Sequence, residues 1–140
     1  MTVKEYLLQI KRMNARLSQL EMEIKEIESK LGAQGVNYGG ISGTPSSEDK
    51  RSKYIYRLIE LRDEYFRQSE ELLDKRGEIV KNIQKIPNIS TQQVLYYKYV
   101  QNRKYEDIAD LMGYSLSQIF RFHKYGLREM KMIVNDSITE

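Results

Sequence analysis

The chain predicts an all-α protein, a long amino-terminal helical hairpin or coiled coil followed by a small helix-turn-helix module. Three observations carry that expectation. Apolar residues recur at alternating steps of three and four from residue 3 to residue 31. Two adjacent columns of apolar residues repeat every seven positions between residues 58 and 80. The final third holds short amphipathic segments punctuated by a glycine and by capping serines.

The first helix is expected over residues 2–31. Val3, Tyr6, Ile10, Met13, Leu17, Leu20, Ile24, Ile27 and Leu31 make an unbroken heptad seam. Thr2 stands where an N-cap belongs, with Glu5 as its capping-box partner three residues on, and Gly32 stands at the stop. At 1.5 Å per residue such a helix is about 45 Å long. Residues 32–47, GAQGVNYGGISGTPSS, hold five glycines, one proline and no charge, which predicts a flexible linker. They contain neither G-x-G-x-x-G nor a P-loop lysine, so a phosphate cradle is not the expectation there.

The second long helix is expected over 47–86. Pro87 ends it, because proline disfavours helical geometry in the residue before it. Leu58, Tyr65, Leu72 and Ile79 form one column, and Ile59, Phe66, Leu73 and Val80 the other. So broad an apolar face suits a helix with more than one neighbour. Arg62, Ser69 and Arg76 sit where a dimeric zipper prefers aliphatics. A folded-back hairpin, or a bundle made by two chains, therefore fits better than one long parallel coil, and residues 1–86 are assigned to dimerisation.

Residues 87–140 read as a DNA-binding domain. Ser90 and Gln93 make a second candidate capping box, opening TQQVLYYKYVQ with Val94, Leu95, Tyr96, Tyr97 and Tyr99. KYEDIADLM follows, its inner face expected to be Ile108, Ala109, Leu111 and Met112. Gly113 ends that helix, and Ser115 is placed to cap LSQIFRFHKYGLREMKMIV, residues 116–134. A short helix, a glycine-containing turn and a longer helix make the helix-turn-helix plan, whose second helix enters the DNA major groove.

VLYYKYV, KYEDIADLMGYS and SQIFRFHKYGLREM, taken in order, resemble promoter-recognition region 4 of bacterial sigma-70-type factors. Over its whole length the chain looks similar to the ArpU/RinA-like late-transcription regulators of phages and integrated elements of Gram-positive bacteria. It shares their KEYLLQI start, charged heptad helix, Gly/Ser-rich interruption, second long helix and R-x-H-bearing last helix. That resemblance implies an activator of late phage genes, working in the host cytoplasm with RNA polymerase as a further partner.

Ser117, Gln118, Arg121 and Lys124 share the outward face of the last helix and are the expected base-reading residues. Arginine pairs with guanine and glutamine with adenine through two hydrogen bonds each. Arg103, Lys104 and Arg128 are expected to hold phosphates, with Lys98 and Lys131 nearby. His123, the only histidine, shares a face with Ile119, Leu127 and Met130 and is expected to point inward and bond to backbone. Phe120 is expected at the edge of the outward face.

The net charge of +3 and a pI near 9.0 permit a nucleic-acid partner. With no cysteine and one histidine, the chain predicts neither metal nor cofactor, and no nucleophile can be paired with a base. No window reaches the roughly 20 apolar residues of a membrane span. The start, MTVKEYLLQIKRMNARL, is unlike a signal peptide. These readings converge on a non-enzymatic, cytoplasmic, sequence-specific regulator that binds double-stranded DNA as a homodimer. The rival is an oligomeric phage packaging or interaction protein, small-terminase-like, which uses the heptad helices as its working surface.

Overall fold

The computed structural model describes residues 1–36 and 45–135, and among these it is helical with no strand. The elements are α1 (Val3–Leu7), α2 (Gln9–Val36), α3 (Pro45–Ile83), α4 (Ile89–Leu95), a π-helical segment (Tyr96–Val100), α5 (Tyr105–Met112) and α6 (Leu116–Ile133). They form two compact units. One joins Met1–Met13 to the described residues from Leu72 onward; the other is Asn14–Glu71. The first thirteen residues and the end of α3, which the sequence reading grouped with the long helices, thus pack with the carboxy-terminal elements.

Within Asn14–Glu71, α2 and α3 run antiparallel. Arg62 donates to Glu28 at 2.6 Å and the Tyr65 hydroxyl donates to Glu21 at 2.8 Å, so later residues of one helix meet earlier residues of the other. Leu17, Leu20, Leu58 and Leu61 are buried between them, with Ile24, Ile27, Leu31 and Tyr65 half-buried. Only one of the two predicted columns faces inward here. Ile59 and Phe66 are 52% and 66% exposed.

Three expected boundaries shift, and the first helix is broken once. The first helix is interrupted at Leu8 and restarts at Gln9, whose side-chain amide donates to the Tyr6 carbonyl at 2.9 Å. It also runs through Gly32 and Gly35 to Val36, since each helical glycine costs only about 1 kcal/mol; the centre of the expected linker, 37–44, lies outside the described residues. At the other side, α3 starts at Pro45, where a missing N–H is harmless, and ends at Ile83 rather than Ile86. Tight turns from Asn82 to Lys85 and from Ile83 to Ile86 carry the chain to Pro87.

In the other unit the Thr2–Glu5 capping box is formed in both directions, at 3.1 and 3.2 Å. It starts α1 so that Tyr6 and Leu7, with Ile10 beyond, are buried against Ile79, Ile83 and Ile86. The Tyr6 hydroxyl donates to Glu78 at 2.7 Å and accepts from Asn82 at 2.8 Å. Burial and the Glu78 carboxylate hold that phenol protonated well above its ordinary range. Leu95, Tyr99, Met130 and Val134 complete the core.

The cap of α4 is Asn88, not Ser90. Asn88 Oδ1 accepts from the Thr91 amide at 2.8 Å, while the Ser90 hydroxyl lies 3.2 Å from the Tyr114 hydroxyl. Asparagine directly after Pro87 takes the extended cap conformation and leaves serine inside the first turn. α4 and α6 then approach so closely that a Cβ on buried Gly126 would lie 2.9 Å from the Leu95 side chain and 3.0 Å from Thr91 Cγ2.

Candidate nucleic-acid interface

The candidate interface lies on α5, α6 and the turn between them. α5 carries Glu106 and Asp107 in its first turn, where free N–H groups favour acids. Ile108 is fully buried with Val94 and Ile119, and Ala109 and Met112 pack beside them. Leu111 is 53% exposed, against the inner position expected for it. It lies three residues beyond Ile108, at the margin of so short a helix's inner face. Gly113 takes the left-handed conformation, φ 70°, and its amide returns to the Ala109 carbonyl at 2.9 Å. Glycine is suited to this geometry because no Cβ opposes it.

Ser115 caps α6 as expected. Its Oγ accepts from the Gln118 amide at 3.2 Å, and Gln118 Oε1 in return accepts from the Ser115 amide at 3.1 Å. Gln118 is exposed, but its oxygen is engaged in starting the helix. A two-bond contact with adenine needs both its oxygen and its nitrogen, so the base reading expected of Gln118 would compete with the cap.

Ser117, Arg121, Lys124 and Arg128 are all exposed, and at 100° per residue they lie within one narrow stripe of α6. Gln118 falls on the flank of that stripe. Arg103 and Lys104 are exposed on the turn before α5. Among the described residues none of these five cations is in an ion pair. Arg103 is nevertheless oriented: its Nε donates to Gln101 at 2.7 Å and its guanidinium lies 5.6 Å from the Tyr97 ring centre. Asn102 beside it adopts φ 54°, a left-handed conformation asparagine tolerates better than most residues. Phe120 is 47% exposed and meets Tyr105 edge-on at 5.0 Å.

The inward face of α6 holds fully buried Ile119 and Met130 with half-buried His123 and Leu127. His123 bonds to side chains rather than backbone. The Tyr99 hydroxyl lies 2.6 Å from His123 Nε2, and the Tyr105 hydroxyl 3.4 Å. Burial keeps Tyr99 protonated, so the phenol donates and the neutral imidazole accepts. Burial first, then the charges of Lys4 and Lys98, lower the His123 pKa to about 4.

Four features here were not anticipated from the sequence. The π-helical segment, closed by the Gln101 amide on the Tyr96 carbonyl at 3.1 Å, turns Tyr99 and Val100 into the core. It also sets the Lys98 ammonium 4.1 Å from the Tyr105 ring centre. Lys98 in turn has a lowered pKa, from burial and then from Lys11 and Lys4, with Glu106 opposing. The amino-terminal lysines thus add to the positive field around the tyrosine–histidine cluster. Only Gly126, a glycine inside a helical pattern, carried a sequence signal for the close packing it permits.

Among the described residues no group of acids and histidine could hold a metal ion, and no helix is long and apolar enough to cross a membrane. Comparison with curated proteins and with solved structures gives no match. Residues 42–131, well over half the chain and spanning α3 to most of α6, match the family described as "Protein of unknown function (DUF1492)". The chain belongs to that family.

Proposed function

We propose that α5, the Gly113 turn and α6 form a helix-turn-helix of the sigma region 4 kind, and that the protein is a sequence-specific, non-enzymatic regulator of transcription. The observation that carries this reading is the stripe Ser117, Arg121, Lys124 and Arg128, cationic and free of ion pairs among the described residues, on a helix whose opposite face is packed. A polar stripe beginning at a capped amino-terminal end is what a major-groove reading helix presents. Arg121 is the principal base-reading residue, because Gln118 is engaged in the cap. Lys124, Arg128, Arg103 and Lys104 hold phosphates. A homodimer would set two such helices on half-sites about 34 Å apart or a multiple of it. The resemblance to ArpU/RinA-like regulators supports late-gene activation in a phage or mobile element, with RNA polymerase as a further partner.

The test is selection of genomic DNA fragments by the purified protein, followed by footprinting of the enriched site. Arg121→Ala with Lys124→Ala should abolish the footprint while helical content stays unchanged. An undiminished footprint refutes the reading. A ring of eight or more subunits in solution would favour the packaging role instead.

A further inference from the structure

We infer that the outward face of α3 within Asn14–Glu71, centred on Ile59 and Phe66, is a docking surface for a second copy of this chain, paired parallel and in register. The inference deepens the two-copy reading above and rests on it for the need of a dimer. Its own support lies in this face.

Ile55, Ile59 and Phe66 are 39%, 52% and 66% exposed, although the same helix buries Leu58 and Leu61 against α2. At 100° per residue, Ile59 and Phe66 point more than 90° away from the centre of the buried face. They are therefore a separate stripe and not the margin of the hairpin core. Their spacing of seven is the repeat that keeps one helix face against another.

The charges beside the stripe identify the occupant. Arg62 lies on one flank with Ser69, where they break a continuous zipper but border this short stripe, while Asp63 and Glu70 lie on the other. In an antiparallel two-fold pair each flank meets its own copy, so Arg62 faces Arg62 and the acids face acids. A parallel pair brings opposite flanks together, placing Arg62 beside Asp63 of the second chain twice over. Ile59 then meets Ile59, and Phe66 meets Phe66. Neither Asp63 nor Glu70 has an ion-pair partner among the described residues. Arg62 already donates to Glu28 at 2.6 Å, which fixes the guanidinium in place. Its remaining N–H groups are available to a second carboxylate.

Because the chain has no cysteine, an introduced one reports a single position. The full chain carrying Ile59→Cys, or separately Phe66→Cys, should form a disulfide-linked dimer under mild oxidation, and Arg57→Cys should not. An antiparallel pair can bring only one of the first two positions against its own copy, since a disulfide needs Cα atoms within about 7 Å. Linkage at neither or at only one of them overturns the proposal. In a second measurement, Phe66→Asp should weaken self-association at least about 30-fold in analytical ultracentrifugation, as for a central interface aromatic, with unchanged helical content. An undiminished dimer also overturns it. Both measurements are made without DNA. A cross-linked dimer that ignores DNA would refute only the regulator reading, and a monomer that footprints DNA only the pairing.

Discussion

Replacing His123 by glutamine should remove an acid sensitivity from the folded state. In the structure the imidazole accepts from Tyr99 at 2.6 Å and stands in the field of Lys4 and Lys98, with its pKa lowered from 6.5 to about 4. Between those values the unfolded chain binds a proton that the folded chain refuses, so stability is fully present above pH 6.5 and falls as pH drops toward 4. At about 1.4 kcal/mol per pH unit the whole lowering corresponds to roughly 3 kcal/mol. The ring is only half-buried, and solvent screening reduces the expected loss to about 1–2 kcal/mol. Thermal or urea unfolding of the native chain and of His123→Gln at pH 7.0 and 4.5 measures the difference directly. The native chain should lose more stability than the variant over this interval, and the difference between them should become independent of pH above 7. Parallel curves for the two proteins would refute the argument, because carboxylate titrations are common to both and cancel.

Other expectations follow from single contacts. Gly126→Ala should destabilise by about 1–2 kcal/mol in urea unfolding, since overpacking against Leu95 outweighs the roughly 1 kcal/mol that alanine gains in a helix. Ser115→Ala should cost about 1 kcal/mol by removing the cap from the Gln118 amide, read in the same assay. If the α6 stripe tracks phosphates, Arg128→Ala should weaken binding to all sequences alike and flatten the slope of log affinity against log salt by about 1 in fluorescence anisotropy titrations.

How much of this was legible in the sequence depended on how local the cause was. Thr2 with Glu5, Gly113 and Ser115 act within one turn of chain, and all are found where the sequence put them, although Gln118 as the reciprocal partner of Ser115 was not read from it. The heptad seam from Val3 to Leu31 also holds, each member being buried or half-buried. Competition between neighbours was less readable: Asn88 and Ser90 are both good caps, and the turn after Pro87 decided between them. Least readable were features set by distant partners. Ile59 and Leu58 look alike in sequence, yet α2 covers one and leaves the other exposed. His123 was placed inward correctly, but its partner Tyr99 depends on a π-helical turn that periodicity does not announce.

Tyr6 ties the start of the chain to Glu78 and Asn82, more than seventy residues away, and Leu7 and Ile10 are buried in the same core. The carboxy-terminal unit is therefore discontinuous along the polypeptide and needs both stretches before its core closes. Joining ends so far apart carries an entropic cost that grows only slowly with loop length, but it delays the rewarding contacts. The α2–α3 hairpin, whose partners are nearer in sequence, has a shorter loop to close. A ribosome-bound chain would hold Tyr6, Leu7 and Ile10 uncovered until the helices around Ile79, Leu95 and Met130 had emerged.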